Sequence, residues 1–215
     1  MPRSSRTSRS DGAETRLRIL EAAGQLFATK GFAEVTSKEI AAAAGVDLAS
    51  INYHFGNRNG LYQAVLIEAH DRVIRYDFLE ALEKSGRTPQ EKLHDLIEGL
   101  VIGCAGNDAW HVRVLGRELL APSSHFRILQ QQQTLPKVRR ILSVISEITR
   151  IPISDPALLR CVVSVGAPCI MLLVVGRHSS LLSEAFFATS RATITEHLYH
   201  FALGGLKSVA KAYTK

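Results

Sequence analysis

The chain has 215 residues, of which 46% are hydrophobic, so it is long enough to bury one large or two small apolar cores. Its formal net charge of +6 permits an anionic partner such as nucleic acid but does not require one. The 3 cysteines show no CxxC spacing, which argues against a disulfide framework and a zinc site and favours the cytosol. We therefore expect an ordinary folded, cytoplasmic protein with no metal and no cofactor.

Two segments need to be distinguished from a targeting signal and from a membrane-spanning helix. Residues 1–13 are basic and serine-rich without the apolar stretch of a secretory signal, so we predict a disordered basic arm whose Arg3, Arg6 and Arg9 add phosphate affinity. The apolar run 161–176 is shorter than the roughly 20 residues that a bilayer requires, and it contains Pro168. It is better interpreted as a buried helix, and no membrane partner is expected.

Apolar residues recur at helical spacing along almost the whole chain, which predicts an all-α protein. The first helix is expected over 14–30 and ends at Gly31. Its apolar face is formed by Leu17, Leu20, Ala23, Leu26 and Phe27.

Three helix starts then follow within a short stretch of sequence. Thr36 and Glu39 have the spacing of a capping box, which begins a short helix that Gly45 ends. Asp47 is expected to cap a third helix ending near residue 55, and Asn57 a fourth helix beginning at residue 58. The short second and third helices, joined by the turn 44–46, predict a helix-turn-helix whose second helix can enter a DNA major groove.

The third helix has two different faces. At about 100° per residue, Ile51 and Phe55 point toward the domain core, while the opposite arc carries small, polar and aromatic side chains that can contact base edges or phosphates. The N-termini of the second and fourth helices favour phosphate as well. The predicted DNA-binding residues are Thr36, Ser37, Lys38, Leu48, Ala49, Ser50, Asn52, Tyr53, His54 and Arg58.

Beyond residue 88 the pattern predicts six further helices, with Pro122, Pro136 and Pro152 at helix boundaries. They are expected over 89–105, 108–120, 124–133, 136–150, 157–175 and 184–213. This divides the chain into a DNA-binding domain, 14–74, and a larger helical domain, 75–215.

The last two predicted helices carry more apolar surface than one small domain covers, which predicts a homodimer. The residues concerned are Val162, Val165, Leu172, Leu173, Phe186, Phe187, Ile194, Leu198, Phe201 and Leu206. A pocket for a hydrophobic or amphipathic effector is expected inside the same domain. Its predicted lining is Trp110, His111, Leu115, Phe126, Cys169 and Met171, with core packing an equally good interpretation of Trp110.

The segments ILEAAGQLFATKGF, TSKEIAAAAGV and INYHFGNRNGLY strongly resemble the N-terminal domain of the TetR family of bacterial transcriptional regulators. Asn52 stands where many members have tyrosine, and Arg58 stands where lysine is usual. The stretches WHVRVLGRELLAPSSHF and PALLRCVVSVGAPC are similar to the CecR-like subgroup. The resemblance implies a dimerising, ligand-binding C-terminal domain in which a small molecule changes the separation of the two DNA-reading heads.

We therefore expect a ligand-responsive regulator, most simply a repressor released from a pseudo-palindromic operator. Two alternatives remain open: a DNA-binding protein without a ligand, and a helical lyase using His111 with Glu118. No nucleophile, cofactor loop or metal set accompanies that pair, so no catalytic residue is assigned.

Overall fold

The computed structural model describes residues 7–105, 109–175, 184–186 and 188–213. Helices and the segments that connect them account for this described part, which contains no strand, and the all-α prediction is confirmed. The helices are α1 Thr7–Lys30, α2 Ser37–Ala44, α3 Leu48–Phe55, α4 Arg58–Val73, α5 Tyr76–Lys84, α6 Pro89–Cys104, α7 Trp110–Leu120, α8 Ser124–Leu129, α9 Leu135–Thr149, α10 Pro156–Val175 and α11 Arg191–Tyr213.

Side-chain caps begin helices α2, α3 and α4, as predicted. The Thr36 hydroxyl accepts from the Glu39 amide at 3.2 Å, and Asp47 accepts from the Ser50 amide at 2.8 Å. Asn57 caps α4 in the same way. Gly45 lies in the left-handed region at φ 63°, which a residue with a side chain rarely adopts, and so the chain turns there between α2 and α3.

The predicted disordered arm is wrong for residues 7–13, which form the first turns of α1. No proline interrupts this stretch, and extending an existing helix costs much less than nucleating one. Arg9 therefore lies in the helix, while Arg3 and Arg6 lie outside the described residues. Leu17 is also not part of the core face, because its side chain is 53% exposed.

The core of the N-terminal part forms where α1, α2, α3 and α4 meet. Phe27, Ile40, Ile51 and Leu61 each contribute a fully buried side chain, one from each helix. Burial of such a side chain stabilises by roughly 1.5–3 kcal/mol, so this small cluster is enough to hold α3 in a fixed orientation.

The C-terminal helices differ from the prediction in three places. Helix α5 was not predicted; its N-cap residue, Arg75, makes no side-chain capping bond, so the usual start signal is missing. Residues Gln130–Thr134 form a π-helical turn that joins α8 to α9, so Pro136 lies within a continuous helical segment. The last helix begins at Arg191 rather than at 184, because the Ser190 hydroxyl caps it by accepting from the Thr193 amide.

Helix α10 is long and apolar enough over Pro156–Val174 to cross a membrane by length and composition, and 44% of that window is buried within the fold. One of its faces packs into the core through residues such as Leu158 and Val165. The other face leaves apolar side chains exposed. The helix is therefore half-buried rather than fully enclosed by its own chain.

Candidate nucleic-acid interface and interior cavity

The outer face of α3 is exposed while its inner face is anchored. Ile51 is fully buried, whereas Tyr53 is 86% exposed, with its ring edge-to-face on His54 at 5.0 Å between centroids. Leu48, Ala49 and Asn52 are also exposed on this helix. The structure thus brings most of the predicted α3 residues together on one accessible surface.

Ser50 has a local task in addition to its position on α3. Its amide and hydroxyl both donate to the Asp47 carboxylate, at 2.8 and 2.6 Å. These two hydrogen bonds lower the pKa of Asp47 below its ordinary value. Because the hydroxyl is engaged in the cap and the residue is half-buried, Ser50 is less available to an external partner than Tyr53.

The N-terminus of α2 is held by a short polar network. The Glu39 carboxylate accepts from Lys30 Nζ at 2.8 Å and from the amide and hydroxyl of Thr36, at 2.8 and 2.9 Å. These contacts, with Lys30 first, lower the pKa of Glu39 to about 2. Lys38 is exposed beside them and Ser37 is half-buried, so a cation and helix amides meet at this corner.

Arg58, another predicted DNA-binding residue, is half-buried and its guanidinium is engaged within the chain. Its guanidinium lies over the Phe32 ring at 4.1 Å and donates to the Phe32 carbonyl oxygen. The Arg58 Nε is buried and has no hydrogen-bond partner in the described part of the chain. A phosphate contact therefore requires this side chain to move outward from the position seen here.

Helices α4 and α7 are joined by a buried hydrogen-bond cluster that the sequence did not reveal as structural. The Tyr62 hydroxyl donates to Glu118 Oε1 at 2.6 Å, and the amide and hydroxyl of Ser123 both donate to Glu118 Oε2 at 3.0 Å. Glu118 is thus engaged on both oxygens, in a structural role that links α4, α7 and Ser123. His111 is half-buried with Nδ1 unpartnered among the described residues.

A partly open cavity of about 360 Å³ lies among α4, α6, α7, α9, α10 and the α8–π segment, within the size range of small-molecule sites, which runs roughly from 300 to 1,000 Å³. Its lining includes Leu159, Val163 and Ile170, which are exposed on α10. Of the residues predicted to line an effector pocket, Leu115 and Phe126 line this cavity. The remaining predicted pocket residues, Trp110, His111, Cys169 and Met171, are not among its lining residues.

The surroundings of Trp110, Cys169 and Met171 explain why these three residues do not line the cavity. Trp110 is buried and donates through Nε1 to Glu21 on α1 at 2.6 Å, so it packs between helices. Cys169 is fully buried, with its thiol 3.8 Å from the Val165 carbonyl oxygen, whereas Met171 is 50% exposed. Burial raises the pKa of the Cys169 thiol to about 11, and all three cysteines are buried and free, as expected of small apolar residues.

Three polar side chains of the cavity lining contact one another, and the sequence analysis missed them. Lys137 Nζ contacts His70 Nδ1 at 2.9 Å, and His70 Nε2 contacts the Thr134 hydroxyl at 3.3 Å. Burial, followed by the neighbouring Lys137, lowers the pKa of His70 to about 4. A usable signal existed: Lys137 sits at helical spacing with the apolar residues Ile141 and Val144, on the inner face of α9.

The apolar surface expected at the dimer contact also needs correction. Six of its residues, Val162, Val165, Leu172, Leu173, Ile194 and Leu206, are already buried within one chain, and Leu198 is partly buried. Phe187 lies outside the described residues. The large apolar residues that are exposed on α10 and α11 are called the apolar face below. They are Leu159, Val163, Ile170, Met171, Phe201, Val209 and Tyr213.

Comparison with known proteins agrees with this architecture. Residues 19–65 match the family of bacterial regulatory proteins called the tetR family, and residues 89–206 match the C-terminal domain of the HTH-type transcriptional dual regulator CecR. The chain belongs to the TetR family. The two matches lie within the predicted domains 14–74 and 75–215, although the boundary between those domains stays a prediction.

Individual TetR-family relatives match mainly at the N-terminus. The HTH-type transcriptional regulator TtgR of Pseudomonas putida is 40% identical over 73 residues, which is 33% of this chain and 35% of TtgR. YttP of Bacillus subtilis, named a probable HTH-type transcriptional regulator, is 29% identical over 133 residues, or 62% of this chain and 63% of YttP. The aligned segment thus spans about a third of TtgR and less than two thirds of YttP.

Similarity of fold extends over nearly the whole chain. The crystal structure of a TetR-like transcriptional regulator from Rhodococcus sp. RHA1 superposes with a TM-score of 0.63 at 19% identity, covering 96% of this chain and 98% of that one. The family matches make the chain a TetR-family transcriptional regulator rather than an enzyme, and the solved structure adds that it shares the fold. The lyase alternative is set aside.

Proposed function

We propose that this TetR-family regulator is a cytoplasmic homodimeric repressor that binds a pseudo-palindromic DNA operator and is released by a small hydrophobic or amphipathic effector. The observation that carries the DNA-binding half is the outer face of α3, where Tyr53 is exposed while Ile51 anchors the opposite side. A helix so oriented presents its side chains to a major groove, and two copies related by a twofold axis read two half-sites.

The proposed DNA contacts divide into two groups. Leu48, Ala49, Asn52, Tyr53 and His54 lie on α3 and are placed to contact base edges, with Ser50 contributing through the cap. The residues at helix N-termini contact phosphates instead. This second group is Thr36, Ser37, Lys38 and, after an outward movement of its side chain, Arg58.

The apolar face supports the homodimer. Phe201 is 72% exposed and Met171 is 50% exposed, and soluble proteins rarely leave large contiguous apolar patches in water. The same pair of helices from a second copy would cover these side chains with an identical surface, which is the usual arrangement of a twofold dimer.

The position of the cavity supports release by an effector. His70, Val73 and Ile74, at the C-terminal end of α4, line it, while the N-terminal end of α4 contacts α3. The dimer would exist in two conformations, one in which the two α3 helices fit both operator half-sites and one in which they do not. A molecule that binds more tightly to the second conformation releases the protein from DNA, because a ligand shifts a conformational equilibrium only through its different affinities for the two states. The cavity favours this reading over the alternative of a DNA-binding protein without a ligand.

Operator selection from random DNA, followed by anisotropy titration with variants, tests the proposal. Tyr53→Ala is expected to weaken binding at least about tenfold, since a contact to a base is worth roughly 1–3 kcal/mol and is lost in both subunits. Lys84→Ala, at an exposed lysine of α5, is the control and should leave affinity unchanged. Operator binding by Tyr53→Ala at wild-type affinity would contradict the proposed role of α3.

A further inference from the structure

The cavity is lined mainly by apolar side chains and by a few polar ones, so it can distinguish the polar part of a ligand from its apolar part. Four of the residues that line the cavity are polar, namely His70, Gln130, Thr134 and Lys137, and the rest of its described lining is apolar. Contacts connect three of the four, from Lys137 to His70 and from His70 to Thr134, so these three form one cluster. A bound molecule thus meets one connected polar cluster, on α4, the π-helical turn and α9, in addition to Gln130.

The donor and the acceptor of each hydrogen bond in this cluster can be assigned. The Lys137 ammonium can only donate, so His70 Nδ1 must accept from it, and the proton of the neutral imidazole lies on Nε2. That proton is donated to the Thr134 hydroxyl oxygen, 3.3 Å away. The Thr134 hydroxyl, already an acceptor, keeps its own proton to donate. The chain of bonds therefore ends in donors.

Lys137 also retains donor capacity. Its ammonium carries three N–H groups, of which one is directed to Asp71 Oδ1 at 2.6 Å and one to His70. In the described part of the chain no third acceptor lies within hydrogen-bond distance. The Lys137 side chain is 3% exposed, so water reaches it poorly and an acceptor on a bound molecule would supply the missing partner.

The charges around the cluster limit what the acceptor can be. Asp71, which balances Lys137, lines a separate surface groove and is 42% exposed. A cationic ligand would be repelled by Lys137. A carboxylate would have to share the ammonium with Asp71 while losing its own hydration, and burying an incompletely paired charge is strongly unfavourable. An uncharged acceptor meets neither difficulty.

We infer that the effector is an uncharged molecule with an apolar body and a hydrogen-bond acceptor, such as a carbonyl oxygen, at one end. This inference rests on the proposed function, since it assumes that the cavity is the effector site. The acceptor lies against Lys137 and Thr134, and the body occupies the space lined by residues such as Leu115 and Phe126.

A series of ligands with one common octyl tail tests the inference on the full-length protein. Methyl octyl ketone, nonanoate and octyltrimethylammonium compete with the uncharged fluorescent probe N-phenylnaphthylamine, and each is then added to the protein–operator complex. The ketone is expected to bind about tenfold more tightly than either ion, the order of magnitude of leaving a buried charge poorly paired. It should also be the compound that most weakens operator binding.

Two variants check the contacts. Lys137→Met and Thr134→Val should each weaken ketone binding several-fold to about tenfold, and Lys137→Met should also reduce the disadvantage of the cation. Lys84→Met, at an exposed lysine of α5, is the matched control and should retain the wild-type order. Because the ligand series is measured on the wild type too, the test survives poor folding of either variant.

The outcomes that would overturn the inference differ from those that would overturn the proposed function. Tighter binding of nonanoate than of the ketone, or equal binding of all three compounds, would show that the cavity accepts ligands but that the polar cluster does not select uncharged acceptors. A protein that binds operator yet takes up neither probe nor ketone would refute the cavity as an effector site, and the inference with it.

Discussion

Removal of one buried hydroxyl tests how the two halves of the chain are held together. Tyr62→Phe deletes the donor to Glu118 Oε1 but keeps the ring, which lies edge-to-face with Phe27 at 4.9 Å and next to Phe32 at 4.5 Å. The substitution thus separates the hydrogen bond from the aromatic packing. Glu118 would retain only the two bonds from Ser123, both to its other oxygen.

The expected cost follows from burial. Tyr62 is 4% and Glu118 is 3% exposed, so water cannot readily replace the lost donor. Hydrogen bonds to carboxylates contribute roughly 1.5–3 kcal/mol, and an unsatisfied buried acceptor costs a similar amount, so we expect Tyr62→Phe to lower the free energy of unfolding by about 2 kcal/mol. Substitutions at exposed positions usually change stability by less than about 0.5 kcal/mol.

Urea denaturation at one fixed protein concentration measures this difference, because the stability of the proposed dimer would depend on concentration. Tyr53→Phe, at the exposed tyrosine of α3, is the matched control and should leave the midpoint unchanged. Burial and Glu118 raise the pKa of Tyr62 above its ordinary value of 10.0. The hydroxyl's contribution is therefore present below pH 10 and decreases above it, so the difference between wild type and variant should shrink in alkali. A Tyr62→Phe midpoint equal to that of the control would refute the argument.

Two further predictions concern local features of α1 and α2. A methyl group at Gly24 would meet the Trp110 ring at 2.5 Å, so Gly24→Ala should destabilise by more than about 1 kcal/mol in thermal unfolding, whereas Gly12→Ala, with open space around it, should stabilise by roughly 0.5–1 kcal/mol. Equal effects would contradict the close packing of Trp110. Because the pKa of Glu39 is about 2, its stabilising effect is present above pH 4.5 and is lost as pH falls toward 2. Glu39→Gln should flatten acid unfolding in that range, and an unchanged profile would contradict the network with Lys30.

The sequence alone predicted the features that depend on neighbours along the chain. Each cap joins residues three apart, as Thr36 does with Glu39 and Asp47 with Ser50, so residue type and spacing suffice to identify it. The orientation of α3 followed in the same way. The helical period separates Ile51 from Tyr53, and the first is buried and the second exposed.

Helix starts without a local signal could not be recognised in this way. Helix α5 begins after Arg75, which makes no capping bond, and its stability comes from packing against α9 and α6. The π-helical turn before Pro136 is likewise a compromise between a continuous helix and a ring that lacks an N–H group, and it becomes visible only once α8 and α9 are placed.

The sequence thus determined the helical class, the family resemblance and the orientation of α3, since each depends on short-range spacing. Only the tertiary structure decided which side chains line the cavity and which face of α10 and of α11 stays exposed, since both depend on contacts between distant segments. Lys137 meets His70 across 67 positions, and Glu118 meets Tyr62 across 56. No local pattern encodes such pairs, because the energy that holds them is gained only when the helices pack and exclude water.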